Sequence, residues 1–261
     1  MERRVNLLDD MFLRVAKIQT FADGQLLTNA TGFLYLENDF LYLVTARHVV
    51  INEVCHHFPN RLHLSLHTDA DDLRNWVDLS IPLYVNGIPQ WYQHPQFGAA
   101  ADLVAVAIND PHVLSNCLVA TFCRDDILSM EEPMPLGKAV LILGFPLGFH
   151  DTVHNLPIVR SAIVASSFAH PFKGEPYFLT DARLHRGMSG SPVIAKPSAR
   201  QTSFADPAAR WRLLGIHSSA LDVSDRDPEQ DERLALNTAW YASLIPEMLH
   251  SEFTIRAGAS R

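Results

Sequence analysis

The stretch that most constrains this chain runs from residue 187 to residue 193 and reads Gly-Met-Ser-Gly-Ser-Pro-Val. Gly187 and Gly190 flank Ser189, and glycine adopts backbone dihedrals that cost other residues free energy. Such a turn presents a serine hydroxyl for attack on a carbonyl, with backbone N–H groups near the negative charge that develops. The sequence therefore predicts that Ser189 is a nucleophile and that the amides of Gly187 and Ser189 form an oxyanion hole.

An ordinary turn is the alternative reading, because Gly-x-Ser-Gly also occurs in loops that carry no chemistry. The stretch does not fit the nucleophile elbow of α/β-hydrolases, which has a glycine two residues after the serine, where this chain has Ser191. The partners of Ser189 must therefore be sought elsewhere in the chain.

Short apolar runs separated by turn residues predict an all-β fold. We expect strands near residues 13–20, 30–36, 40–45, 61–67, 76–85, 89–93, 103–108, 138–144, 159–167, 176–180, 192–195, 213–218 and 234–241, and a short C-terminal helix at 243–250. Residues 109–132 are a candidate linker, and 196–212 and the acidic segment 222–233 are predicted loops.

Composition narrows the function classes. The 261 residues are 48% hydrophobic, enough for a substantial core, and the net charge of −8 argues against unspecific nucleic-acid binding. No apolar run approaches the roughly 18 residues of a membrane span, and the first residues do not resemble a signal peptide. We therefore expect a cytoplasmic protein that binds neither nucleic acid nor membrane. Its three cysteines, at positions 55, 117 and 123, are predicted to be free thiols that act as small buried hydrophobic groups.

Two further residues stand at strand ends. His48 follows a predicted strand, where a histidine is more often a core or surface group than a functional one. Asp102 precedes the apolar run 103–108, so its carboxylate needs a partner, although a helix N-cap is the alternative. Histidine, aspartate and serine thus follow one another along the chain.

These motifs resemble those of the trypsin/chymotrypsin superfamily of serine proteases. Residues 45–49, Thr-Ala-Arg-His-Val, are similar to its histidine motif, residues 101–104, Ala-Asp-Leu-Val, to its aspartate motif, and residues 187–192 to its serine motif. The resemblance implies two six-stranded antiparallel β-barrels with a cleft between them. We expect an N-terminal barrel at 1–120 carrying His48 and Asp102, and a C-terminal barrel at 121–261 carrying Ser189 and the terminal helix.

The resemblance also implies roles. His48 would take the proton of Ser189 and pass it to the leaving amine, while Asp102 would orient the imidazole and stabilise its charged form. Ser218 matches the serine that hydrogen-bonds the aspartate. No cofactor or metal is implied, and histidines 63, 67, 150 and 154 lack the further ligands of a convincing zinc site.

Within the superfamily, the chain is similar to the HtrA and glutamyl endopeptidase branches. Met188 stands where secreted trypsins have the aspartate that binds a newly cut N-terminus, so activation by that ion pair is not expected. His217 matches a histidine that contacts a Glu or Gln side chain, and Arg183 would fall near the base of the specificity pocket. We therefore expect a preference for Glu, and less so for Gln, before the scissile bond. The alternative is that Arg183 points to solvent or pairs with an acid, which would leave a small or aliphatic pocket.

The sequence thus predicts a serine endopeptidase acting on protein or peptide substrates. The alternatives are a catalytically silent trypsin-like protein-binding module and an esterase that uses the same chemistry. A regulatory protein partner is a further expectation.

Overall fold

The structure is a computed structural model that describes residues 8–196, 210–220 and 235–250. The strands are β1 Val15–Ala22, β2 Gln25–Glu37, β3 Phe40–Thr45, β4 Arg61–His67, β5 Trp76–Pro82, β6 Tyr84–Val85, β7 Ile88–Pro89, β8 Trp91–Gln93, β9 Val104–Ala107, β10 Ala139–Gly144, β11 Ile158–Ile163, β12 Tyr177–Thr180, β13 Pro192–Ala195, β14 Arg212–Ala220 and β15 Asn237–Tyr241. The α-helices are α1 Met11–Arg14, α2 Arg47–Val50, α3 Pro111–Asn116 and α4 Leu244–His250.

Two antiparallel sheets contain nearly all of these strands, which confirms the predicted all-β architecture. The first sheet has the order β5-β4-β1-β2-β3-β9-β8, and the second has the order β11-β10-β13-β14-β15-β12. The first has seven strands rather than the six expected of a barrel, because each of the seven segments predicted between residues 13 and 108 supplies one strand. The segment predicted at 89–93 is divided: β7 pairs with β6 outside this sheet, while β8 pairs with β9. Helix α4 confirms the predicted C-terminal helix.

The second sheet closes on itself. The ends of its two outer strands meet in a bridge between Val164 and Thr180, and the amide of Ala165 donates to the carbonyl of Leu179 at 2.7 Å. In the first sheet, the segments beyond β5 and before β8 meet where the amide of Gln90 donates to Leu83. These contacts leave each sheet curled around its own core, as in a double barrel.

Alternation in the sequence explains the cores. In β4, Leu62, Leu64 and Leu66 point inward and are almost wholly buried, while the intervening residues face outward or are partly covered. A further apolar cluster lies between the sheets and joins residues of both, among them Phe33 and Phe122 from one side and Phe145 and Ile216 from the other. The two sheets therefore share a packed interface on which a site can be built.

The predicted division after residue 120 stays a prediction. The strands of the first sheet end at Ala107 and those of the second begin at Ala139, and Phe122 between them forms a bridge to Tyr35 of β2. Segment 222–233 and most of 196–212, both predicted loops, lie outside the described residues. None of the helices that the structure describes is long and apolar enough to cross a membrane.

Candidate active site

Strand pairing brings His48 and Asp102 together. His48 lies on α2, directly after β3, and Asp102 lies directly before β9, the strand that pairs with β3. His48 Nδ1 is 2.6 Å from Oδ2 of Asp102, and the His48 backbone amide donates to Oδ1 of the same carboxylate at 2.8 Å. Asp102 thus holds His48 at two points, the ring and the backbone amide, and with its proton on Nδ1 the imidazole has Nε2 available as a base.

The second sheet supplies a further donor to this carboxylate. Ser218 lies on β14, is 2% exposed, and its hydroxyl donates to Oδ2 of Asp102. Burial alone would favour the neutral acid, but the hydrogen bonds from His48 and Ser218 and the proximity of the imidazole hold the pKa of Asp102 below its usual value. Asp102 is therefore a carboxylate able to stabilise a charged imidazole.

Ser189 lies on a tight turn that glycines permit. Gly187 and Gly190 have φ of +94° and +86°, in the left-handed region that side chains disfavour. The amide of Gly190 donates to the carbonyl of His217 at 2.8 Å, and the amide of Ser191 donates to that of Met188 at 3.0 Å. Met188 itself is wholly buried in the core of the second sheet. These contacts fix the turn against β14 and the core beneath it.

The Ser189 hydroxyl donates to the carbonyl of Ser218 at 3.4 Å, and no hydrogen bond joins it to His48 in the described part of the chain. Both Ser189 and His48 line the same cleft. In free enzymes the hydrogen bond between nucleophile and base is often long and tightens only when substrate binds.

Two backbone amides of the turn point to an oxyanion hole. Among the described residues, neither Gly187 N–H nor Ser189 N–H donates to a protein acceptor. Their neighbours do: the amide of Met188 donates to His185 at 3.2 Å. Unpaired N–H groups beside a nucleophile are the donors that a developing oxyanion requires.

The cleft has a volume of about 750 Å³ and is lined by both halves of the molecule. His217 and Asn237 form part of its wall on the side of the second sheet. His217 is 3% exposed, and its Nδ1 is buried without a hydrogen-bond partner. Burial, and the nearby His48, lower the pKa of His217 to about 3, so its imidazole is neutral at physiological pH.

Arg183 does not line this cleft, although the sequence placed it near the pocket base. It is exposed, and its carbonyl accepts a hydrogen bond from Arg160. This part of the cleft wall begins at Leu184, and among the described residues that line the cleft the arginine is Arg186, which is also exposed. Spacing from Ser189 gives the position of a residue along the chain, but not the direction of its side chain.

Sequence reasoning missed several residues around the turn. Thr31 contacts it from β2, Leu147 contacts it from the loop after β10, and Asn237 lines the cleft. Thr31 reads as an ordinary strand residue, and nothing local distinguishes it. The positive φ of Leu147, +54°, follows the Gly-Phe-Pro sequence, which predicts a turn but not its contact with the active site.

The other histidines of the described residues do not form a metal site. No group of three potential metal ligands occurs among the described residues, and His67 instead contacts the carbonyl of His154 at 2.7 Å.

All three cysteines are free, as predicted, but Cys55 is exposed and lines the cleft, while Cys117 and Cys123 are partly buried. The prediction of buried cysteines is therefore wrong for Cys55, because the segment after α2 lies on the cleft rim.

The family model described as "Trypsin-like peptidase domain" matches residues 30–198, more than half of the chain. The chain belongs to this family. It is therefore a serine endopeptidase, a hydrolase that acts on protein or peptide substrates. No curated protein sequence matches the chain.

A solved serine endoprotease structure shares the fold. The serine endoprotease from Yersinia pestis matches with a TM-score of 0.52 at 13% identity, over 91% of this chain and 62% of that chain. Rv3671c protease from M. tuberculosis, in its active form, matches with a TM-score of 0.47 at 16% identity, over 96% of this chain and 83% of that chain. An inactive form of Rv3671c gives a TM-score of 0.48 at 16% identity, over 92% and 86%.

Proposed function

We propose that this trypsin-like peptidase hydrolyses peptide bonds through a triad of Ser189, His48 and Asp102 and a covalent acyl-enzyme. The observation that carries the proposal is the two-point attachment of His48 to Asp102 at the edge of the cleft that Ser189 lines. That attachment leaves one imidazole nitrogen available for a single task, the transfer of a proton.

The reaction follows in two steps. Ser189 Oγ bonds to the carbonyl carbon while its proton passes to Nε2 of His48, and the N–H groups of Gly187 and Ser189 stabilise the oxyanion. When the C–N bond breaks, the leaving amine takes the proton from His48. Water then attacks the acyl-enzyme by the same route and returns the proton to Ser189.

The cleft also supports the proposed preference for Glu or Gln before the scissile bond. The neutral imidazole of His217 lines the cleft, and neither of its ring nitrogens is engaged by another described residue. It can therefore hydrogen-bond a carboxylate or an amide. The positive charge that would favour Glu over Gln comes from Arg186 rather than Arg183.

A fluorophosphonate probe and a peptide library test the proposal together. We expect labelling and cleavage by the wild type, and neither by Ser189→Ala. Ser191→Ala is the matched control, because the Ser191 hydroxyl is buried without a hydrogen-bond partner two residues along the same turn. Labelling should persist in this control.

Two outcomes would contradict the proposal. Absence of labelling in a folded wild type would favour the silent protein-binding module. Labelling with cleavage of esters but not of any peptide would favour an esterase. Cleavage mainly after Arg, Lys or aromatic residues would reject the Glu or Gln preference and leave the triad intact.

A further inference from the structure

Thr31 joins the two sheets at the nucleophile turn. It lies on β2 of the first sheet, has no exposed surface, and its backbone amide donates to the carbonyl of Ser189 at 3.0 Å. Its own carbonyl accepts a hydrogen bond from the Thr45 hydroxyl at 2.8 Å, at the end of β3. The backbone of Thr31 is thus fixed on both sides.

The Thr31 hydroxyl makes a second, independent connection. Oγ1 donates to the carbonyl of Gly187 at 2.7 Å and accepts from the amide of Phe145 at 3.0 Å. One buried hydroxyl thereby links the oxyanion turn with the segment that follows β10. Both bonds are buried, so the Gly187 carbonyl and the Phe145 amide would be left unpaired if the hydroxyl were removed.

The segment after β10 also holds the peptide bond between Arg186 and Gly187. The amide of Leu147 donates to the carbonyl of Arg186 at 2.6 Å. A trans peptide is planar, with its N–H directed opposite to its C=O, so fixing the Arg186 carbonyl also fixes the direction of Gly187 N–H. The carbonyls on both sides of Gly187 are therefore held, one by Leu147 and one by Thr31.

The space around the hydroxyl is closely filled. A Cβ placed on Gly144 would lie 2.7 Å from Thr31 Oγ1 and 2.9 Å from Sδ of Met188. Glycine at the end of β10 thus provides the room in which the hydroxyl reaches both of its partners.

We propose that the Thr31 hydroxyl is a positioning residue for the oxyanion hole: by holding the Gly187 carbonyl and the Phe145 amide together, it keeps the Gly187 N–H aimed into the cleft. This inference rests on the proposed function of the turn. Thr31 does not touch the reacting atoms, so its removal affects the transition state more than the binding of substrate.

A series of Thr31 variants tests this. Thr31→Val keeps the shape and removes the hydroxyl, and we expect kcat to fall by about 10- to 100-fold with KM changed by less than about threefold. Thr31→Ser keeps the hydroxyl and should stay within about threefold of wild type, while Thr31→Cys, a weaker donor, should lie between Ser and Val. A peptide aldehyde, which forms an oxyanion adduct, should lose affinity in step with kcat/KM.

Tyr241→Phe is the control for lost stability. It removes another buried hydroxyl, which donates to the Phe168 carbonyl at 2.7 Å, outside the cleft lining. We expect it to lower the melting temperature without changing kcat. Wild-type kcat in Thr31→Val, or an equal loss in Tyr241→Phe, would overturn the inference. If Thr31→Val does not fold, Thr31→Cys carries the test, and wild-type kcat there would overturn it.

Amide hydrogen exchange separates this inference from the proposed function. The Phe145 amide should be protected in wild type and in Thr31→Ser, and should lose protection in folded Thr31→Val or Thr31→Cys. Unchanged protection would reject the positioning role even if the wild type proved inactive. An inactive wild type that showed the expected exchange would reject the proposed function alone.

Discussion

The two sides of the active site are built by different means. On the side of the first sheet, His48 is held by the side chain of Asp102, which binds both its ring and its backbone amide. On the side of the second sheet, the turn around Ser189 is held mainly by backbone groups, two left-handed glycines and a buried methionine, and the Thr31 hydroxyl is the side-chain donor that binds it from the first sheet. On the first side, a substitution that changes a functional group but not its size should therefore lower activity and leave the stability of the fold unchanged. On the second side, a substitution that adds volume should lower activity and stability together.

The largest expected effect lies on the first side. In Asp102→Asn, the amide can no longer stabilise a charged imidazole or select its tautomer, and we expect kcat to fall by about ten-thousand-fold. The melting temperature should change little, because the new side chain has the same size. The exposed Asp78, which accepts a hydrogen bond from Ser65, provides Asp78→Asn as a control with wild-type kcat. A large fall in the melting temperature of Asp102→Asn would contradict the expectation that the first side can change its chemistry without loss of stability.

The second effect concerns the turn. Gly190 has φ of +86°, and a Cβ there would overlap with the Thr31 carbonyl and the Thr45 hydroxyl, so Gly190→Ala should cost about 3 kcal/mol or more of the free energy of unfolding. Gly24 has φ of +82° with open space around it, and Gly24→Ala should cost only about 1 kcal/mol. Urea titration of both variants separates close packing from backbone strain. Equal losses of the free energy of unfolding in the two variants would show that backbone strain, and not the lack of space around Gly190, sets the cost.

The third effect is the pH dependence of stability that arises from His217. Its pKa is about 3 in the folded chain against 6.5 when exposed, so between these values the unfolded state binds the proton more tightly. Stability should therefore be greatest above pH 6.5 and fall as pH decreases toward 3, by about 2 kcal/mol at pH 5 from this group.

His217→Phe removes that titration. Its free energy of unfolding, measured with urea from pH 7 to pH 4, should fall less steeply than that of wild type. Because the His217 carbonyl accepts the Gly190 amide, the acid-induced opening should appear first on the second side, as faster exchange at Gly190. Parallel pH profiles for the two proteins would contradict this account.

The smallest effect concerns Arg186. Arg186→Gln removes a charge from the cleft and should lower kcat/KM for peptides with Glu before the scissile bond by about fivefold, and for Gln peptides by less than about twofold. Salt should weaken the Glu preference of the wild type, because the guanidinium is exposed. Arg183→Gln is the matched control and should leave the ratio of Glu to Gln cleavage unchanged. The opposite result would restore Arg183 as the source of charge.

The sequence predicted what depends on local pattern. Alternation in residues such as Leu62 and Leu64 predicts the strands. The motifs around His48, Asp102 and Ser189 point to two residues that line one cleft, His48 and Ser189, and to the carboxylate that contacts His48. The sequence did not predict contacts that arise only when distant segments meet. Thr31 is 156 residues from Gly187 along the chain, and its hydroxyl bond depends on how the two sheets pack. The direction of the Arg183 side chain likewise depends on the local backbone path, which spacing alone does not give.

Met188 has a consequence for how the turn responds to its surroundings. An ion pair at this position would weaken as ionic strength rises and would break when either partner changed its protonation state. A thioether packed among Phe178, Val193 and Leu214 has no charge to screen and no proton to lose. The anchor beneath Ser189 is therefore insensitive to salt, but its sulfur can be oxidised, which would place a polar sulfoxide in an apolar core.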